Sequence, residues 1–328
     1  MRFSSTLTAS LALGMSFASP VVKRVMTPKV DDGIILNYAL TLEFLERKFY
    51  QEALAKFTQA DFVAAGYADP FYTNLKEIYV DEQAHVSFLV EALTAAKITP
   101  TNELQYSFGI TDVTSFITLS SLLEGVGVSA YLGAAASIMD KDYLTAAGSI
   151  LTIEARHTAY IRAELGESPF PNPFGTPLDF NQVYSIASAF IVGGSSPVKL
   201  PFMAFPKLTL QCTRYYYEAD RSSVTFSGAF KSAEMLGCTK DTPIYAVFFS
   251  GLKKLYVQVR ITQGNSDYKI DRIPAGVQGQ AYVVLSKSCT DFSDENIIAG
   301  PAIIEVYPKG MIPSQPHAKC SSWMDREG

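Results

Sequence analysis

Four stretches of the chain repeat apolar residues every three or four positions, and a later region alternates them every second position. The first stretch predicts a helix from about Gly33 to Phe57, with Leu36, Ala39, Leu42, Phe49 and Ala53 on one stripe and Asp31-Asp32 as its cap. Gly66 and the pair Asp69-Pro70 break the pattern. A second helix then runs from Phe71 to Lys97 and stops before Pro100. Residues Ile98 to Ile110 hold no period and are long enough to cross over a helical bundle. Thr111-Asp112 opens a third helix reaching Met139, and Asp140 caps a fourth that ends at Gly166. A Pro-rich connection from Ser168 to Pro177 leads to a short fifth helix, Phe180 to Ile191, and Gly193 to Pro197 marks a boundary. From Lys207 the period becomes two. Strands are predicted at Lys207–Tyr216, Val224–Phe230, Ile244–Ser250, Lys254–Thr262, Tyr268–Ile273, Gln280–Lys287 and Ala302–Tyr307. The pattern therefore predicts an α+β multidomain chain. Residues 31–166 form an antiparallel four-helix bundle, 167–206 a connection carrying the fifth helix, 207–310 an antiparallel β-sandwich of immunoglobulin outline, and 311–328 a tail.

Polar residues interrupt the helical stripes at regular places. The second helix reads Ile78, Glu82, His85, Leu89 along one face, and the fourth reads Ile150, Glu154, His157, Ile161. Residues three and four apart share a helix face, so each Glu-x-x-His points its two side chains the same way, toward the core. Upstream of each motif stands a lone glutamate, Glu43 before the first and Glu124 before the second. Each of these is followed seven residues later by a tyrosine, Tyr50 and Tyr131. The order Glu, then Glu-x-x-His, thus occurs twice and reads as a duplicated helical hairpin. Buried carboxylates are unfavourable unless something compensates them. Two lone Glu plus two Glu-x-x-His motifs form the ligand set of di-iron and di-manganese carboxylate bundles.

The candidate metal ligands are therefore Glu43, Glu82, His85, Glu124, Glu154 and His157. Four carboxylates with two imidazoles and no thiolate suit two divalent ions of manganese or iron. Without a cation the acids would repel one another and some would have to take up protons. Glu46 lies one turn beyond Glu43 and competes with it for the ligand role. Asp81 is a candidate acceptor for the far nitrogen of a ligand histidine. Tyr50 and Tyr131 point to the same interior, as hydrogen-bond donors or redox participants, and Arg156 points away into an exposed salt bridge. Two glycines inside the third helix, Gly125 and Gly127, lower its intrinsic stability by about 1 kcal/mol each relative to Ala, which a close approach of neighbouring groups would offset.

Composition narrows the classes. A net charge of −5 and 18% charged residues leave no basic footprint for nucleic acid. The start of the chain resembles a secretory signal. Arg2 is followed by an apolar run, Leu7 to Phe17, too short to span a bilayer, and a small-residue cleavage site near Ala18, giving a signal peptide over 1–18. Lys23-Arg24 offers a dibasic processing point. No later run is expected to span a membrane. Cys212, Cys238, Cys289 and Cys320 all lie in the second half, and in a secreted protein predict two disulfides, with free thiols as the alternative.

The stretches ILNYALTLEFLERKFY, DEQAHVSFLVEAL, LLEGVGVSAYLGAA, ILTIEARHTAYIR, GQAYVVLS and AGPAIIEV resemble the ferritin-like secreted proteins of fungi, of the late-sexual-development, stress-response and desiccation-related type. The resemblance runs from about Asp31 to Pro308. It implies a ferritin-like bundle followed by a β domain, with the six Glu and His residues in the ligand roles. The expected function is a secreted oxidoreductase acting on hydrogen peroxide or dioxygen, catalase-like because that chemistry needs no partner reductase. The alternative is a non-catalytic metal-binding or surface protein whose β domain meets a cell-wall polymer or another protein. The aromatic residues Tyr215, Tyr216, Tyr217, Tyr245, Phe248 and Phe249 fit such a surface, and equally a core.

Overall fold

The computed structural model describes residues 30–211, 216–262 and 266–308. The leader, the dibasic pair, Cys212, Tyr215, Cys320 and the 311–328 tail lie outside the described residues. Seven helices are α1 (Asp32–Lys56), α2 (Gln59–Ala64), α3 (Phe71–Ala95), α4 (Val113–Ala135), α5 (Lys141–Glu164), α6 (Phe180–Ser188) and α7 (Phe230–Met235). The four long ones lie within four residues of the boundaries that the periodicity predicts, and three of the four starts carry a capping aspartate. Asp31 accepts from Ile34 N, Asp112 from Ser115 N, and Asp140 from Asp142 N and Tyr143 N. Asp32, expected to share the first cap, instead accepts from Met139 N and Asp140 N, both at 2.8 Å, and so ties the start of α1 to the turn between α4 and α5.

The centre of α1 is buried on all sides from Ile35 to Glu46. It packs against α3 and α4, and α4 packs against α5. The 98–110 segment is an extended strap along α1. It meets Asn37 near the helix start (Thr101 N donates to Asn37 Oδ1, 2.7 Å), then Arg47 through Glu103, then Lys56, whose Nζ donates to Ile110 O at 2.7 Å. Asn37 also donates to Thr99 O just past the end of α3, which fixes α1 and α3 as antiparallel. The strap contributes β1 (Gln105–Tyr106), which pairs with β2 (Ile191–Gly193). The fifth helix, expected to reach Ile191, ends at Ser188.

The remaining strands are β3 (Thr209–Leu210), β4 (Tyr217–Glu218), β5 (Val224–Ser227), β6 (Tyr245–Ser250), β7 (Lys253–Gln258), β8 (Arg260–Ile261), β9 (Tyr268–Ile270), β10 (Gly279–Ser286) and β11 (Ile297–Tyr307). They form a five-stranded sheet ordered β4-β11-β10-β6-β7 and a four-stranded sheet ordered β3-β5-β9-β8. The pairing is not wholly antiparallel as expected, since β4 runs parallel to β11. The 207–216 stretch is strand only at β3 among its described residues. The run expected as strand to Phe230 ends at Ser227, where Gly228 at φ 86 turns the chain into α7.

The five-stranded sheet is apolar on both faces. Val247, Phe249, Tyr282 and Val284 join the helical core, while the alternating Ala246, Phe248, Ala281, Val283 and Leu285 face the second sheet. Continuous apolar runs such as AYVVL arise from this double burial. Tyr282 donates to Gly125 O of α4 at 2.9 Å, and Gln280 donates to Leu122 O at 3.1 Å. A Cβ on Gly125 would lie 2.5 Å from the Gln280 amide, so this glycine lets the sheet approach the helix. Of the aromatic residues considered as a surface, Tyr216, Tyr217, Phe248 and Phe249 are buried.

Two further expectations are corrected. Cys238 and Cys289 are free thiols, so two disulfides among the four cysteines do not form. Helix α4 is, by length and composition, apolar enough to cross a membrane, contrary to the expectation that no later run would be. Its apolar window is 72% buried inside the protein, with Glu124 at its middle, and this burial accounts for the composition.

Candidate metal centre

All six candidate side chains converge midway along the long helices and are buried. Glu43 comes from α1, Glu82 and His85 from α3, Glu124 from α4, and Glu154 and His157 from α5. They form two overlapping groups that could hold metal ions. One is Glu43, Glu82, His85 and Glu154, the other Glu82, Glu124, Glu154 and His157, with the ligand atoms in each group within 4.8 Å of one another. Glu82 and Glu154 belong to both. His85 Nδ1 lies 3.2 Å from Glu43, 3.4 Å from Glu82 and 3.5 Å from Glu154. His157 Nδ1 lies 3.2 Å from Glu124 and 3.3 Å from Glu82.

The tyrosines cross between the duplicated halves. Tyr50, two turns after Glu43, donates to Glu124, and it also lies 2.5 Å from Ser120 Oγ. Tyr131, two turns after Glu124, donates to Glu43. Each outer glutamate thus has one oxygen held by a phenol and the other turned to a histidine. Both phenols are pushed well above their usual pKa by burial and by the carboxylate beside them, which keeps them protonated as donors. Asp81 Oδ2 lies 3.1 Å from His157 Nε2, the far nitrogen. The equivalent position in the other half is Ile153, which offers no acceptor. Arg156 is exposed as expected, but its Nε donates to Thr152 O rather than to a carboxylate.

The electrostatics suit a bound cation. Glu43, Glu46, Glu82, Glu124 and Glu154 are five buried carboxylates facing two imidazoles. Burial raises Glu82 to about 7, with the His157 and His85 rings holding it down and Glu43 and Glu124 pushing it up. Glu154 and Glu46 are also raised, first by burial and then by Glu82 and the other acids. Burial opposes charge on the imidazoles, yet the neighbouring carboxylates outweigh it and raise His85 to about 10 and His157 to about 11. Neither oxygen of Glu82 or of Glu154 makes a well-formed hydrogen bond among the described residues, and three of the four have an imidazole Nδ1 at 3.3–3.5 Å as their nearest donor. Buried acceptors without donors carry a penalty of about 1–3 kcal/mol each, more when charged. A bound cation would remove that penalty, so the donor set fits a metal site.

Two features go beyond the motif spacing. Gly127, read from the sequence only as a place of close approach, makes room for the acids, because a Cβ there would stand 2.6 Å from Glu154 Oε2 and 3.0 Å from Glu46 Oε1. An apolar cavity of about 30 Å³ is lined by Leu42, Leu89, Ala130, Ala147, Ile150 and Tyr131 among others, the last being the residue whose phenol holds Glu43. The motif spacing reports direction along one helix and contains no signal for either.

Comparison with known proteins agrees with this geometry. Residues 31–167 match the family model described as Ferritin-like domain. The chain is also similar to Protein rds1 of Schizosaccharomyces pombe, 24% identical over 322 aligned residues that cover 82% of this chain and 79% of that protein. The chain therefore has a ferritin-like helical N-terminal region, followed by a β-rich region, with a buried acidic and histidine cluster compatible with metal.

Proposed function

We propose that this is a secreted metalloprotein in which an antiparallel four-helix bundle, backed by a β-sandwich, binds two manganese or iron ions and reacts with hydrogen peroxide or dioxygen. One observation carries the reading: Glu82 and Glu154 belong to both four-residue groups, and none of their four oxygens makes a well-formed hydrogen bond among the described residues. Glu43 with His85 would hold one ion, Glu124 with His157 the other, and Glu82 and Glu154 would bridge them. When bound, such a pair of ions supplies two-electron redox chemistry by cycling between adjacent oxidation states, which suits catalase-like disproportionation of peroxide.

The protein's own groups do the positioning. Tyr131 and Tyr50 each donate to one oxygen of an outer glutamate and leave the other free for metal. With metal bound, Asp81 would accept the proton of His157 Nε2 and leave the Nδ1 lone pair, which faces the carboxylates, for the ion. Helices and sheet exclude bulk water, and the cavity beside Tyr131 has room only for small molecules.

Elemental analysis of natively purified protein, followed by oxygen release from added hydrogen peroxide, tests the proposal. Two manganese or iron ions per chain and measurable oxygen release are expected. Full metal content without release would overturn the catalase-like chemistry and leave the metal site standing.

A further inference from the structure

The duplication is broken at one position of the site. Glu43 matches Glu124 and Tyr50 matches Tyr131, but Glu46, one turn after Glu43, is matched by Gly127, one turn after Glu124. Glu46 is only 4% exposed, and its Oε2 has no hydrogen-bond partner among the described residues. The charges acting on it come from Glu82, Glu43 and Glu124, all acidic. Its carboxylate and that of Glu154 crowd the same point above the Cα of Gly127, where any side chain would force them apart. A buried, donorless carboxylate set among like charges is strongly unfavourable without a cation. The glycine opposite it preserves the room the carboxylate needs.

We propose that Glu46 is a seventh ligand residue of the metal centre, present in one half of the duplication only, and that it makes the two ion positions unequal. This rests on the two-metal reading above. The Glu46 oxygens lie outside the two groups gathered within 4.8 Å, but Oε1 stands 3.0 Å from the point above Gly127 that Glu154 Oε2 approaches to 2.6 Å, which puts Glu46 beside an oxygen of a glutamate shared by both groups.

Titration of the metal-free protein with Mn(II), followed by calorimetry and electron paramagnetic resonance, tests this. The wild type is expected to take up two ions with distinct affinities. Glu46→Gln is expected to weaken the second ion at least tenfold and change its spectrum, while raising the melting temperature of the metal-free protein because an uncompensated acid is gone. Gly127→Ala keeps the acid but crowds it, and is expected to weaken the same ion. Glu46→Asp, with its shorter reach, is the second variant should Glu46→Gln fold poorly, and is expected to weaken that ion too. Wild-type affinities and spectra in Glu46→Gln or Glu46→Asp would overturn the assignment while leaving the six-residue site intact. A wild type that binds no Mn(II) would overturn both readings together.

Discussion

At the scale of single residues, the two phenols set the direction of the outer glutamates. Tyr131 and Tyr50 each make a hydrogen bond to a buried carboxylate, and such bonds to charged groups contribute about 1.5–3 kcal/mol. Tyr131→Phe is therefore expected to destabilise the folded protein by about 1.5–3 kcal/mol in urea denaturation. Because the bonds cross between halves, it should disturb the ion beside Glu43, and Tyr50→Phe the ion beside Glu124. Asp81→Asn is expected to lower metal affinity by about 10- to 100-fold through His157, measured by competition with a chelator. The convergence of the six candidate side chains was legible because each Glu-x-x-His lies within one helix turn, where spacing alone fixes direction. The crossed phenols were not, because spacing says that a side chain points inward without saying which neighbouring helix it meets. The same holds for Glu46 and Gly127, whose significance appears only when α1 and α4 face each other.

At the scale of elements, the helical and β-rich regions are joined by a buried ion pair. Arg162 of α5, 2% exposed, donates through Nη1 and Nη2 to Glu305 of β11 at 2.9 and 2.7 Å, and Nη1 also lies 3.1 Å from Glu167. Glu305→Ala leaves Arg162 with Glu167 as its remaining carboxylate partner, so it is expected to destabilise by less than the ~3–5 kcal/mol that follows a fully stranded buried charge, read in chemical denaturation. Replacing the whole triad, Arg162→Met with Glu305→Leu and Glu167→Leu, is expected to recover most of that loss. A triple variant no more stable than Glu305→Ala would show that the charges themselves bind the regions together. The four long helices were legible because caps and stripes coincide at their ends. The β half was less so. Period two identifies strands but not partners, and strands apolar on both faces, such as β10, reveal double burial without revealing that one cover is helical. Short elements such as α7 and the β1–β2 pair are fixed by tertiary contacts rather than by local pattern.

At the scale of the whole molecule, metal and protons compete for the same core, and the sign of the pH dependence follows. Glu82 is raised to about 7, from a usual carboxylate value near 4.5, by burial first. Between those values the folded protein holds a proton that the unfolded chain has released, so this contribution to stability is present below about pH 4.5 and lost as pH rises to about 7. His85, raised to about 10, acts in the same direction at higher pH. Its contribution is complete below about 6.5 and lost through about 10 as the folded ring gives up its proton. His157, raised to about 11, behaves alike. The metal-free protein should therefore lose these contributions steadily from pH 5 to pH 8. Ions behave oppositely, since they bind deprotonated carboxylates and neutral imidazoles, and their affinity rises as protons leave. A ligand at about 100 times its Kd stabilises by about 2.7 kcal/mol. The melting-temperature gap between Mn(II)-loaded and metal-free protein is accordingly expected to widen from pH 5 to pH 8, read by calorimetry at fixed ionic strength. A gap that stays constant or narrows would mean that protons and metal do not share these side chains, and the cluster would then have to be held together by its protonated acids and imidazoles alone.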